Sequence, residues 1–283
     1  MQSGLILAIG TVAAAICASA ADGGAKRGEI GIGTDDQLAG ALERFRMTKV
    51  TDLVGWTPGS GKDADPVPAA TLQAMRHVIV TRFSVPRPQD PRNADRHLEQ
   101  GWLERRLDLF RRFFVPSVSC LGVPAVLLCS SKSATFVDEK TTDLDWVEVE
   151  VQDDWYGGWV GDDDQTVTRM DSDDAIHQSW LAVVDAAPPD AEVCCTREFL
   201  RYDISSGRLC AYKRGDPSPL AAFRNGRNPF AEDHAGLDRH YRVHNIAGPF
   251  LLQTFHGGNV SSRRPSWYRR RLPLEHLEAY GIR

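Results

Sequence analysis

Four short runs of aliphatic and β-branched residues predict strands in the middle of the chain. They are His77–Phe83, Pro124–Ser130, Asp145–Val151 and Thr166–Met170, and the third alternates apolar with acidic residues as a half-exposed strand does. After the first run, apolar residues recur at helical spacing over His97–Phe114, which predicts a helix that Pro116 should end. This order of strand, helix and three strands is typical of an α/β fold with a mostly parallel sheet.

The fourth predicted strand runs directly into a group of carboxylates, Asp171-Ser172-Asp173-Asp174, which we call the acidic turn. Helical spacing resumes over Ala175–Leu181, so the turn is expected to join a strand to a helix. Three carboxylates this close repel one another unless a cation or hydrogen-bond donors lie among them. Mg²⁺ and Mn²⁺ prefer oxygen ligands, and Mg²⁺ is often held by one or two carboxylates together with substrate phosphates. The alternative is a helix N-cap, because Asp is favoured at that position.

The second half of the chain predicts a hairpin and a late apolar segment. Two strand-like runs, Glu192–Tyr202 and Arg208–Lys213, flank a Ser-Ser-Gly turn and should pair with each other. The apolar run Pro249–Phe255 leads into a glycine-rich turn that carries two side chains able to act as ligands, His256 and Asn259.

The predicted strands would bring several loops to one edge of the sheet. In open α/β sheets, ligands bind beyond the carboxyl ends of the strands. The loops after Phe83 and Ser130 and the acidic turn all follow predicted strands directly. We therefore expect these three segments to meet at one edge and to frame a binding site.

Residues 1–74 are expected to form an extension and linker ahead of an α/β domain over residues 75–283. Gly4–Ala21 is apolar and ends in Ala18-Ser19-Ala20, a signal-cleavage pattern, although no Lys or Arg precedes it. It is short and alanine-rich for a membrane span. A third interpretation is a mis-started extension, because Met75 lies just ahead of the first predicted strand. The expected localisation is cytoplasmic, and the alternative is a protein secreted or membrane-anchored through residues 4–21.

Composition and charge narrow the class of partner. The chain has 283 residues, of which 42% are hydrophobic, and a net charge of -5, which argues against a dedicated nucleic-acid binder. The C-terminus is locally basic at Arg263-Arg264 and Arg269–Arg271. These arginines would contact a phosphate, the surface of a membrane or only solvent. The six cysteines contain no C-x-x-C pair, so buried free thiols are expected.

An ordered series of segments resembles the rhamnosyltransferase-like family of bacteria and viruses, which is similar to GT-A glycosyltransferases. The series consists of Thr81–Val85, Arg105–Phe110, Val115–Ser117, Arg169–Ala175 and His256–Asn259. The resemblance implies a GT-A-like fold, which is Rossmann-like with a mostly parallel central sheet flanked by helices. It also implies hexosyl transfer from a nucleotide-diphosphate sugar to a hydroxyl acceptor such as a glycan, with a DxD-type site for Mn²⁺ or Mg²⁺.

The resemblance also assigns roles to individual residues. Asp171 and Asp173 would contact the metal and the donor ribose, and Asp174 would be a third metal ligand or a helix cap. His256 would reach the metal or the diphosphate, with an ordinary loop histidine as the alternative. Asn259 would lie in the same pocket.

Two arginines and one further carboxylate complete the candidate site. A guanidinium suits phosphate oxygens, so Arg82 and Arg106 are candidates to bind the diphosphate. The alternative for Arg106 is an ion pair with Glu99 or Asp108 on the surface of the helix. An inverting transfer needs a base for the acceptor hydroxyl. Asp233 is the candidate base, because Glu232-Asp233 resembles the Glu-Asp pair of many inverting GT-A enzymes. His234 is the second candidate for this base. The alternative is that this segment is a solvated acidic loop without a catalytic role.

Two other functions are compatible with the acidic turn. A metal-dependent phosphohydrolase or nuclease would need a second carboxylate cluster for a two-metal site. Asp162–Asp164 is the remaining cluster in the sequence, and it is better interpreted as a solvated loop. The other alternative is a non-catalytic protein that binds a glycan or nucleotide on a degenerate transferase fold.

Overall fold

A computed structural model describes residues 77–86, 98–256 and 271–283. The predicted extension at residues 1–74, the boundary at residue 75, the glycine-rich turn after His256 and the arginines at 263–270 lie outside the described residues. Among the described residues, no helix is both long enough and apolar enough to cross a membrane.

Twelve strands and several short helices make up the described part of the chain. The strands are β1 (His77–Arg82), β2 (Ala125–Cys129), β3 (Val147–Val151), β4 (Thr166–Arg169), β5 (Ala175–Ile176), β6 (Val193–Cys195), β7 (Glu198–Asp203), β8 (Arg208–Lys213), β9 (Ala221–Phe223), β10 (Val243–Asn245), β11 (Pro249–Phe255) and β12 (Arg271–Leu272). The α-helices are α1 (Gln100–Leu109), α2 (Val115–Ser119), α3 (Ala134–Thr141), α4 (Trp180–Asp185) and α5 (Leu237–His240). A π-helical turn spans Phe110–Phe114, and 3₁₀ helices span His234–Gly236 and Leu274–Tyr280.

The strands form a mostly parallel main sheet and a second, mixed sheet. The main sheet has the order β10-β6-β9-β4-β1-β2-β3, in which β9 runs antiparallel to both of its neighbours and the other pairs are parallel. The second sheet has the order β12-β8-β7-β11-β5. The predicted α/β fold is therefore confirmed. The β7–β8 hairpin is confirmed as well, but residues 193–195 form a separate strand of the main sheet.

The central strands of the main sheet are buried on both faces, which explains why residues 78–80 and Ala125–Cys129 are continuous apolar runs. One face packs against the helices through residues such as Leu103 and Trp180. The other face packs against two loops, one that carries Trp155 and Trp159 and one that carries Phe230. The cysteines follow the same burial, since those at 129, 194, 195 and 210 are buried free thiols as expected, whereas that at 120 is exposed.

The predicted end of the first helix at Pro116 is wrong. The chain passes from α1 through the π-helical turn into α2, so it stays helical as far as Ser119. Pro116 is the second residue of α2, a position at which a missing backbone N–H costs little. The proline therefore follows an interruption of the α-helical hydrogen-bond pattern rather than ending the helix.

The predicted helix immediately after the acidic turn is also wrong. Ala175-Ile176 is strand β5, which pairs antiparallel with Leu251 and Leu252 of β11, and α4 begins only at Trp180. Pairing with a strand 75 residues away in the chain, at Leu251 against Ile176, overrides the local helical pattern. The interpretation of the acidic turn as a helix N-cap is thereby excluded.

Candidate active site at the acidic turn

The acidic turn lies at the carboxyl edge of the main sheet. Strand β4 runs parallel to β1, and the Met170 N–H donates to the Val80 carbonyl, so the residues after both strands emerge side by side. The loops after β1 and β2 meet at the same edge, where the Ser84 and Ser133 hydroxyls are 2.6 Å apart. The arrangement of the three segments at one edge is as expected from the sequence.

Asp173 is at the centre of a charged cluster built from three distant parts of the chain. Its Oδ2 lies 2.8 Å from Arg106 Nη1 of α1 and 2.8 Å from His256 Nε2, which follows β11. The Asp173 side chain is only 6% exposed. Burial by itself raises the pKa of such a carboxyl, but Arg106 and then His256 outweigh this effect and hold the pKa of Asp173 below its ordinary value. Asp173 is therefore a buried carboxylate in its charged form.

Arg106 contacts the acidic turn and not the surface acids considered for it. Its Nε donates to Ser172 Oγ at 2.7 Å while its Nη1 pairs with Asp173. Its position on α1, one turn ahead of the π-helical turn, directs the side chain across to the end of β4. The ion pair with Glu99 or Asp108 is not formed.

Asp174 faces the second sheet rather than solvent. Its Oδ1 accepts from the Thr254 backbone N–H at 2.8 Å, and the Thr254 hydroxyl donates to the Asp173 carbonyl at 2.7 Å. Its Oδ2 is buried without a hydrogen-bond partner among the described residues. Desolvation, followed by the charges of Asp173 and Asp171, raises the pKa of Asp174 well above its ordinary value. The bond to Thr254 fixes this carboxyl in place, and its role as a third metal ligand stays a prediction.

Asp171 is the exposed member of the acidic turn. Its side chain is open to solvent, yet enough protein surrounds it that desolvation raises its pKa, as does the charge of Asp173. The charges of Arg106, Arg82 and Arg169 act in the opposite direction. Asp171 is therefore a solvent-exposed carboxylate with the charges of three arginines nearby.

Arg82 lies at the same edge, held between two aromatic rings. Its guanidinium carbon is 3.4 Å from the centre of the Trp155 ring and 4.5 Å from that of Phe230, and its Nη1 donates to the Trp155 carbonyl at 3.0 Å. Stacking of this kind orients a guanidinium without neutralising its charge. Arg82 therefore presents a fixed positive charge close to Asp171.

The candidate base lies next to a buried arginine that the sequence did not single out. Asp233 is exposed and precedes the 3₁₀ helix that begins at His234. Arg169, the last residue of β4, donates through Nη1 to the carbonyls of Pro229 and Glu232, the latter at 2.7 Å. Desolvation lowers the pKa of Arg169 to about 10, and the nearby charges of Asp171 and Asp233 act against that shift. An arginine two residues before the acidic turn, at the end of a short strand of threonine and valine, was the available signal.

The remaining polar residues to be placed are His234, His177, Asn259 and the Asp162–Asp164 segment. His234 is half-buried, and desolvation together with Arg169 lowers its pKa to about 4. His177 packs edge-on against Phe250 and Tyr280. Asn259 lies outside the described residues. The Asp162–Asp164 segment is an exposed loop, as the sequence indicates.

The oxygen atoms at the acidic turn fit a divalent cation that arrives with its ligand. Asp171 and Asp173 supply carboxylates at one edge of the sheet, and arginines lie beside them. Among the described residues there is no group of three or more His, Cys, Asp or Glu side chains placed to hold a metal ion. Carboxylate oxygens are ligands that Mg²⁺ accepts in ones and twos together with substrate phosphates.

Comparisons with known proteins give distant structural likenesses. No family model matches the chain. No curated protein matches it either. S. aureus TarS 1–349 shows 13% identity and a TM-score of 0.35, over 63% of this chain and 60% of the TarS chain. TarS has also been solved in complex with UDP-GlcNAc.

Two further solved structures match over a larger share of their own length. The inositol-1-phosphate CTP transferase from T. maritima shows 13% identity and a TM-score of 0.38, over 64% of this chain and 89% of that one. Rv0371c from Mycobacterium tuberculosis H37Rv, in complex with manganese, shows 14% identity and a TM-score of 0.35, over 65% of this chain and 89% of that one. The chain is thus distantly similar in structure to a CTP transferase and to a protein that binds UDP-GlcNAc.

Proposed function

We propose that this protein is a transferase that takes a sugar from a nucleotide-diphosphate donor and passes it to a hydroxyl acceptor. The observation that carries the proposal is the cluster of Asp173, Arg106 and His256 at the carboxyl edge of the sheet. The three residues come from β4, α1 and β11, so the fold brings charged groups together that local structure does not require. Burying charge in this way is costly, which favours a functional reason for it.

The donor diphosphate is assigned to the edge of the sheet at which the charges of Arg82 and Arg106 act on Asp171. When the glycosidic bond breaks, the departing diphosphate gains negative charge, and fixed cations at that position stabilise the transition state. Arg82 is oriented by Trp155 and Phe230 and needs little rearrangement to meet phosphate oxygens. Arg106 is held by Asp173 and Ser172, so its guanidinium is equally fixed.

A divalent cation, Mg²⁺ or Mn²⁺, would be held by Asp171 and Asp173 and would neutralise the diphosphate when bound. Asp174 and His256 complete the proposed ligand set, the first through its buried carboxyl and the second through its place beside Asp173. Asn259, from the glycine-rich turn, is proposed for the same pocket.

The acceptor hydroxyl is assigned to the side of the site that carries Asp233. A carboxylate suits the removal of a hydroxyl proton as the sugar is transferred. Asp233 is exposed to solvent and lies near the guanidinium of Arg169, which is itself close to Asp171. His234 is the second candidate, since its pKa of about 4 leaves it neutral and able to accept a proton at neutral pH. Rhamnose is the proposed sugar on the sequence resemblance alone.

The proposal is tested by a donor screen on the full chain. UDP-, GDP-, CDP- and dTDP-sugars are added with Mn²⁺ or Mg²⁺, and thermal unfolding and release of nucleoside diphosphate are measured. We expect one nucleotide class to raise the melting temperature, and we expect its slow hydrolysis to stop in Asp173→Asn and in EDTA. Stabilisation without turnover, unchanged by EDTA, would instead indicate a non-catalytic binding protein. Cleavage of phosphodiesters without sugar transfer would indicate the hydrolase alternative.

A further inference from the structure

Arg169 joins the two halves of the candidate site. It is 5% exposed, and its Nη1 donates to the carbonyls of Pro229 and Glu232. These carbonyls belong to the segment over residues 228–233, which we call the base loop because it ends at the candidate base, Asp233. Because Arg169 lies two residues before Asp171 in the same strand end, the contact ties the base loop directly to the acidic turn.

The base loop has few other attachments to the sheet among the described residues. Asn228 Nδ2 donates to the Gly157 carbonyl at 2.8 Å, and Phe230 stacks on Arg82. At the carboxyl-terminal end of the loop, Glu232 Oε2 lies 3.7 Å from His240 Nε2 and the Asp233 carbonyl accepts from the Gly236 N–H at 2.8 Å, but both partners belong to the short helices that follow the loop and not to the sheet. The Glu232 carbonyl is held by Arg169, so the position of the next residue depends on that guanidinium.

The chemistry of the contact requires an arginine. One planar guanidinium reaches two carbonyls on different residues while its remaining N–H groups stay available. Its Nη2 is buried and has no hydrogen-bond partner within the described residues, so the guanidinium is kept in place at some cost in stability. A lysine would carry the same charge but could not hold both carbonyls in one plane.

We propose that Arg169 is a positioning residue that sets the distance between the candidate base and the acidic turn. This inference rests on the proposed function, in which Asp233 acts on the acceptor while Asp171 and Asp173 hold the donor. Arg169 itself contacts only backbone carbonyls in the base loop. Its loss should therefore slow turnover while leaving donor binding largely intact.

The chain offers a closely matched control in Arg224. This half-buried arginine also donates to backbone carbonyls, that of Val184 near the end of α4 at 3.1 Å and those of Ala187 and Pro188 in the following loop at 3.1 Å and 2.7 Å. It follows β9, which runs antiparallel to β4, so it ties down a loop at the opposite edge of the main sheet. A general loss of stability from removing a loop-binding arginine should appear equally in both variants.

The experiment compares Arg169→Gln, Arg169→Lys and Arg224→Gln with the unaltered full chain. Hydrogen–deuterium exchange is followed at the base loop and its 3₁₀ turn, where the Phe230 and Gly236 amides are hydrogen-bonded. Turnover and nucleotide affinity are measured with whichever donor the screen identifies. Arg169→Lys retains the charge and guards against a Gln variant that does not fold.

We expect both Arg169 variants to speed exchange in the base loop and to lower kcat by about tenfold or more. Donor affinity should stay within about twofold of the unaltered protein in Arg169→Lys, which keeps the charge that acts on Asp171. Arg224→Gln should speed exchange only around residues 184–191 and leave kcat unchanged. Unchanged exchange in the base loop, or a kcat no lower than that of Arg224→Gln, would overturn the inference. A wild-type protein that turns over no donor would refute the proposed function, and the exchange arm would still decide whether Arg169 holds the loop.

Discussion

The contact between Arg106 and Asp173 is the interaction whose loss has the clearest consequence. Replacing Arg106 by Met keeps much of the side-chain volume and the helix propensity of α1 but removes the charge. Asp173, with a side chain 6% exposed, would keep only His256 as a charged partner. Ser172 Oγ would also lose its donor.

The expected cost is set by the burial of the pair. Removing one partner of a buried ion pair typically costs 3–5 kcal/mol, and the surviving His256 contact places the expected loss at about 3 kcal/mol. For a domain of this size that corresponds to a fall in melting temperature of about 9 °C. An unfolding titration in urea at neutral pH measures the loss, and the slope of the transition should stay the same.

The pH dependence provides a second, independent readout. The pKa of Asp173 lies below its ordinary value, so the pair contributes stability above the unfolded-state pKa of about 4 and loses it as the pH falls through the folded-state pKa. The difference between wild type and Arg106→Met should therefore be largest at neutral pH and shrink on acidification.

Arg105 supplies the control for this measurement. It is the preceding residue of α1 and is exposed, so Arg105→Met should change stability by no more than about 0.5 kcal/mol. If Arg106→Met were no more destabilising than Arg105→Met, the pair would not be buried and charged as described.

Three further predictions concern the surroundings of the site. Thr254→Val should cost about 1–3 kcal/mol in urea unfolding, because the Asp173 carbonyl loses a buried donor, whereas Thr254→Ser keeps the hydroxyl and should cost less. Desolvation lowers the pKa of His177 from 6.5 to about 4, so the free energy of unfolding of the wild type should fall by about 3 kcal/mol as the pH is lowered from 6.5 to 4, because the unfolded state binds the proton first. His177→Leu should show a flatter dependence of this free energy on pH, and a curve parallel to that of the wild type would refute the prediction. Trp155→Leu should weaken nucleotide binding measured by calorimetry, because Arg82 loses the ring that orients it. Unchanged affinity would refute a role for Arg82 in binding the nucleotide.

The parts of the fold that the sequence predicts are those in which local pattern and final environment agree. Residues 78–80 of β1 and all of β2 are apolar because both faces of the central sheet are buried. The alternation at β3 matches its half-exposed position at the edge of the sheet. The helical face over α1 likewise packs on the core through Leu103 and Leu107.

The failures occur where something other than hydrophobic spacing decides the local structure. Ala175-Ile176 carries a helical pattern but is a strand because β11 pairs with it. Pro116 does not end a helix because a π-helical turn precedes it. In each case the deciding interaction is either a long-range pairing or a local irregularity that hydrophobic spacing does not encode.

The candidate site shows the same division. Its carboxylates were identifiable because three acids after a buried strand are costly. Arg106 was a candidate to bind the diphosphate, and the structure places it at the acidic turn. Arg169 was missed because its partners are backbone carbonyls of a loop 60 residues later, at Pro229. Trp155 was missed for a similar reason, since stacking on Arg82 depends on how a loop folds over the sheet.

The central claim is that Asp171 and Asp173 hold a cation that carries a diphosphate, and Mn²⁺ binding followed by electron paramagnetic resonance tests it directly. Free Mn²⁺ gives a sharp signal that falls when the ion is bound, so the full chain, Asp173→Asn and Asp171→Asn are titrated with Mn²⁺ with and without UDP, GDP, CDP or dTDP. The account predicts that one diphosphate strengthens Mn²⁺ binding to the wild-type chain and that either substitution abolishes the gain. Equal Mn²⁺ binding by wild type and both variants, or no gain with any diphosphate, would contradict it.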